Sequence, residues 1–105
     1  MSAPPRLSAP AIDAFVQTHP GWLHTAHAIE KTWRFADFHR TMSFVNAVAG
    51  VAHRLDHHPE LVVSHSRCTV RWHTHDAGGV STRDFAAAEA VDALPEAAAT
   101  ALPRV

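Results

Sequence analysis

A single cysteine, Cys68, stands in a chain of 105 residues, so no intrachain disulfide can form and a cysteine-based zinc site has nothing to build from. Nothing points to an oxidising compartment. Long apolar runs are missing too. The start, Met1-Ser2-Ala3-Pro4-Pro5-Arg6, carries no stretch of secretory length, and no later run approaches the roughly 18 apolar residues of a membrane span. A soluble, cytoplasmic protein that does not act at a membrane is expected. An excess of one charge is also absent: nine Lys plus Arg against ten Asp plus Glu leave a formal charge of -1 and a pI near 6.8. The arginines are scattered singly, which argues against direct binding to nucleic acid or to an anionic membrane surface.

What the chain has in excess is histidine. Ten imidazoles with ordinary pKa values of about 6.5 would carry the formal charge toward +9 on acidification. With 47% hydrophobic residues the length suits one domain with one core. Residues 1–7 read as a flexible N-terminal arm and 8–105 as a single domain.

The periodicities divide that domain into seven elements. Ile12, Phe15 and Val16 mark a short amphipathic helix that begins near Ser8 to Pro10 and stops before Pro20-Gly21. A hairpin follows over 22–38, where Ile29, Lys31, Trp33 and Phe35 share one parity and Glu30, Thr32 and Arg34 the other. Asp37 is placed to cap the longest helix, whose apolar stripe runs Phe44, Val45, Val48, Val51, Ala52, Leu55. Pro59 requires that helix to end at about Asp56 or His57. Strands over Leu61 to His65 and Cys68 to Thr74 are expected around a Ser66-Arg67 turn, and Gly78-Gly79 marks another turn. Ser81-x-x-Asp84 then opens an alanine-rich helix through about Leu94, and the end after Pro95 reads as peripheral. The expected fold is α+β: a four-stranded antiparallel sheet with three helices on one face, in the order helix, two strands, helix, two strands, helix.

The histidines need sorting. His19, His24, His27 and His39 lie near element ends or in polar alternation and read as surface or locally satisfied residues. Metal ligation could draw on His53 with His57, four apart on a helix end, and on His73 with His75, two apart on a strand. However, the segment His53-Arg54-Leu55-Asp56-His57 lacks the Glu that a zincin uses as base, and no metal site is expected. The other reading is acid-base chemistry, in which imidazoles at a helix exit and a strand end flank a small planar substrate, one giving a proton while another takes one.

The run Ala52-His53-Arg54-Leu55-Asp56-His57-His58-Pro59-Glu60 resembles the signature of the pterin-4a-carbinolamine dehydratases, also called 4a-hydroxytetrahydrobiopterin dehydratases. The similarity continues through Thr74-His75, the Gly78-Gly79 turn, Ser81 and Asp84. Upstream it takes in Trp33 to Phe38 with Phe44-Val45, and in all it spans about residues 8–94. The resemblance implies dehydration of a 4a-hydroxytetrahydropterin to the quinonoid dihydropterin and water, in support of tetrahydrobiopterin recycling, with no cofactor because the pterin is the substrate. It implies His57 and His75 as the acid-base pair, with His58 mainly binding and orienting substrate. Pro59 and Thr74 would shape the pocket. His53 and Asp84 would support it, Asp84 by orienting an imidazole or by capping the last helix. A homodimer or homotetramer is implied as well. The alternative is a non-catalytic protein-binding module of the same fold, a transcriptional dimerisation cofactor or a Rubisco assembly factor. Intact His57, His58 and His75 favour the enzyme. Three positions depart from the family pattern: His53 where Glu is usual, Leu61 where Trp is often found, and His65 where an aromatic such as Tyr is usual.

Overall fold

The computed structural model describes residues 4–98. Four strands, β1 (Leu23–Thr25), β2 (Ala28–Arg34), β3 (Glu60–Ser64) and β4 (Arg67–Trp72), form one antiparallel sheet in the order β1-β2-β4-β3. Helices α1 (Ala9–Thr18), α2 (Phe38–Leu55) and α3 (Thr82–Asp92) fill the places expected of them, and the fold is α+β. Among the described residues no helix is long and apolar enough to cross a membrane.

Register divides the sheet into two faces. Ile29 opposite Trp72 and Trp33 opposite Cys68 point into the core, where Phe44, Val48 and Val51 of α2 and Ala87, Ala88 and Val91 of α3 meet them. The other parity carries Glu30 opposite Arg71, Thr32 opposite Thr69 and Arg34 opposite Arg67, a polar outer face. Burial pushes the Cys68 thiol up to about 11, so it is a poor nucleophile at neutral pH.

Three expectations shift. The hairpin turn falls on His65-Ser66 rather than Ser66-Arg67, because two tertiary bonds hold its carbonyls: the Phe35 N–H donates to Ser66 O at 2.9 Å and Thr41 Oγ1 donates to His65 O at 2.9 Å. Strand β1 is shorter than expected, since the chain reverses at Ala26-His27 with Ala26 at φ 49°, a turn that no glycine announces. The segment after Pro95 is not peripheral: Pro95–Ala98 forms a further short helix, α4, and Ala97 is 7% exposed within the core. The rest of the alanine-rich end lies outside the described residues. Ahead of α1, the Leu7 N–H donates to Val80 O at 2.8 Å, which ties this part of the expected arm to the approach to α3.

Candidate active site

Helix α2 ends in a way that sets the site. Asp56 adopts the left-handed conformation (φ 49°, ψ 45°), and the N–H of His57 reaches back to Ala52 O at 3.1 Å. Such a left-handed cap satisfies the last carbonyls and turns the chain sharply, a conformation Asp tolerates better than most non-glycine residues. His57 is thereby thrown across the exit of the helix, and Pro59 prevents the helix from resuming.

The imidazole of His57 is enclosed by two other elements. Its ring stacks on Trp72 at the end of β4, with centroids 5.3 Å apart and planes 21° from parallel. Its Nε2 lies 2.6 Å from Oδ1 of Asp84, in the first turn of α3, and its side chain is 10% exposed. Asp84 itself is fully buried. The other carboxylate oxygen, Oδ2, accepts from Thr74 Oγ1 at 2.8 Å and from the Ser81 N–H at 2.9 Å.

These contacts order the donors and acceptors around Asp84. Thr74 has one hydroxyl proton, and giving it to Asp84 leaves its oxygen to accept from Ser81 Oγ at 2.6 Å. Ser81 Oγ in turn accepts from the Arg83 N–H at 3.2 Å. An ionised carboxylate can only accept, so a neutral His57 ring facing it would carry its proton on Nε2 and keep a lone pair on Nδ1. Among the described residues Nδ1 has no hydrogen-bond partner. Asp84 therefore both caps α3, in a capping box with Ser81, and orients an imidazole.

The remaining expected residues lie differently. His58 is exposed and Pro59 half-buried beside it. His75 is exposed on a single 3-10 turn, His75–Ala77, that the bridge between Thr74 and Gly79 closes. Thr74, expected at the pocket wall, is 2% exposed with its hydroxyl taken up by Asp84 and Ser81, so it can reach a substrate only through them. His53 is exposed on α2 and no side-chain hydrogen bond joins it to the cluster. His57 and His75 open onto separate hollows. One, of about 100 Å³, is lined by Leu55, His57, Arg83 and Ala86. The other, of about 270 Å³, is lined by His27, Arg71, His73, His75 and Gly78. Among the described residues no three His, Cys, Asp or Glu side chains gather as metal ligands.

Two residues at this site were not legible as such in the sequence. Trp72 is the floor on which His57 lies, and Arg83 supplies a cation to the His57 hollow. Arg83 adjoins Asp84 in the chain, which was the available signal. His24 and His19 are locally satisfied as expected: His24 lies 3.3 Å from Asp13, and His19 stacks on Phe15 and lies 2.9 Å from Glu89.

Comparison with known proteins follows the same outline. The family described as pterin 4 alpha carbinolamine dehydratase matches residues 5–94. A relative from Xanthomonas campestris pv. campestris (strain 8004), named "Putative pterin-4-alpha-carbinolamine dehydratase", is 50% identical over 84 residues, covering 78% of this chain and 71% of the relative. A relative of the same name from Nitrosospira multiformis is 40% identical over 92 residues, covering 88% and 81%. Among solved structures, a transcriptional coactivator/pterin dehydratase from Brucella melitensis matches with a TM-score of 0.81 at 30% identity, over 88% of this chain and 98% of that one. A pterin dehydratase-like protein identified as a RuBisCO assembly factor in the alpha-carboxysome matches with a TM-score of 0.61 at 22% identity, over 71% and 89%, a likeness of fold alone.

Proposed function

The chain belongs to the pterin 4 alpha carbinolamine dehydratase family, and from that premise we propose that it dehydrates a 4a-hydroxytetrahydropterin to the quinonoid dihydropterin and water. The observation that carries this reading is the His57 ring, held 2.6 Å from a buried carboxylate with Nδ1 unpartnered at its other end. A group so fixed is suited to proton transfer, because the ring does not have to be ordered at the moment of reaction.

The reaction breaks the C4a–O bond and the N5–H bond and forms a C=N bond between C4a and N5. The departing hydroxyl needs a proton and N5 must lose one. His57 takes the N5 proton on Nδ1, and the charge that develops on the ring is met by Asp84 through Nε2–H. His75, exposed and in exchange with water, gives a proton to the leaving hydroxyl. The reading requires the pterin, held by His58 and Pro59, to reach from the hollow of His57, which Arg83 also lines, to the separate hollow of His75. Thr74 and Ser81 act one step back, by keeping Asp84 fixed. The reading requires no cofactor and includes a homodimer or homotetramer, for which β1 and β3 offer open sheet edges.

The test is a stopped-flow assay of 4a-hydroxytetrahydropterin decay with and without the protein. Decay faster than buffer, in proportion to protein concentration, is expected. Decay at the buffer rate would replace this reading with the non-catalytic protein-binding module.

A further inference from the structure

At the opposite end of β2 and β4 from His57, two arginines stand directly across from one another. Arg34 closes β2, Arg67 opens β4, and the register pairs them on the outer face of the sheet. Like charges directly opposite in a ladder are destabilising. Nothing among the described residues relieves this pair: no carboxylate lies within ion-pair distance of either guanidinium. The acids on the same face, Glu30 and Glu60, sit four residues along the strands, roughly 13 Å away at about 3.3 Å per residue, beyond a Debye length of about 10 Å. Both are already taken by Arg71, at 3.1 Å each. Asp37, the next acid along the chain from Arg34, bonds Arg40.

The surroundings suit an anion. Both arginines are exposed on a face that carries no helix. Ser64 pairs with Arg67 from β3, and the next row holds the Thr32 and Thr69 hydroxyls 2.7 Å apart. The adjoining turn presents His65, stacked on the exposed Phe38. With a net charge of -1 the chain has no general surplus of cations, so this concentration is local.

We propose that Arg34 and Arg67 form a docking site for an oxyanion of the phosphate class. A guanidinium offers parallel N–H donors that match phosphate oxygens two at a time, and a dianion between two guanidinium groups cancels the repulsion that the register imposes. A single carboxylate would leave half of that charge unmet, which favours phosphate over a carboxylic acid. The site is independent of the dehydration reading, since neither arginine is near His57.

The experiment is thermal unfolding of the wild type, Arg34→Ala, Arg67→Ala and Arg40→Ala chains with and without inorganic phosphate at constant ionic strength. Calorimetric titration with phosphate and with glycerol 3-phosphate accompanies it. A ligand that binds the folded chain raises Tm with its concentration. We expect phosphate to raise Tm of the wild type and Arg40→Ala but not of the other two, whose phosphate affinity falls at least tenfold. Without phosphate, Arg34→Ala and Arg67→Ala should unfold no earlier than the wild type. Comparable binding of glycerol 3-phosphate assigns the site to an esterified phosphate, and binding of inorganic phosphate alone assigns it to the free ion. A phosphate response equal in all four chains, or absent from the wild type, overturns the proposal. So does one lost equally in Arg40→Ala.

Discussion

The fold treats His57 and His75, the two imidazoles to which the proposed dehydration assigns acid-base roles, in opposite ways. His57 is gripped at one edge by Asp84 and on one face by Trp72, with its side chain 10% exposed. His75 rides an exposed three-residue turn. One imidazole is positioned before any substrate arrives, and the other is free to exchange its proton with water. The difference fits a division of labour in which a fixed group meets the atom whose geometry matters most and an open group is recharged between turnovers.

The sharpest way to break that division is to remove each imidazole alone and both together. His57→Ala should lower kcat by about two to four orders of magnitude, the scale of a lost general acid or base. His75→Ala should cost less, and added imidazole should restore part of its activity because the vacancy is open to solvent. Steady-state rates of the three variants measure this. Equal losses, or rescue of His57→Ala but not of His75→Ala, would reverse the assignment of the fixed and open groups. The double variant turning over at the wild-type rate would remove both from the chemistry.

A second contrast lies within the fixed group, between its ring and its anchor. Asp84→Asn keeps the size of the side chain but replaces an acceptor-only carboxylate with an amide, whose NH2 end would face a donor at either His57 Nε2 or Thr74 Oγ1 and Ser81 N. Hydrogen bonds to a charged group are worth about 1.5–3 kcal/mol, so a loss of stability of about 2 kcal/mol is expected in urea unfolding. Activity should fall about tenfold to a hundredfold, less than for loss of the ring, with the change in kcat rather than KM and an altered pH profile. A drop in stability with kcat and its pH profile unchanged would make Asp84 a helix cap and nothing more.

How far these features could be read from the chain follows from how local they are. The capping box of α3 and the exit of α2 were legible because each is decided within a few residues, by Ser81 with Asp84 and by Pro59. So was the inward parity of Ile29 and Trp33 on β2. The place of the β3–β4 turn was not, because Phe35 and Thr41, distant in sequence, hold its carbonyls. Nor was the turn at Ala26, which adopts a positive φ without glycine. At the site, spacing could nominate His57 and Asp84 one by one, but their pairing depends on how α2 and α3 pack. The role of Trp72 as the floor beneath His57 depends on sheet register and could not be read from the strand expected over Cys68 to Thr74.

The smallest effect is expected at His53, where the contrast between fixed and open groups reaches its limit. This residue occupies a family position usually held by Glu, yet it is exposed on α2 and its side chain contacts none of the His57 cluster through a hydrogen bond. An exposed helix position away from such contacts tolerates substitution within about 0.5 kcal/mol, so His53→Ala should leave unfolding midpoints nearly unchanged. If the imidazole acts on His57 at all, it does so through space. The charge introduced by His53→Glu would then shift the pH dependence of kcat, whereas His53→Ala and His53→Gln would not differ from each other. Identical pH profiles for all three variants and the wild type would leave the tuning of His57 to Asp84 alone.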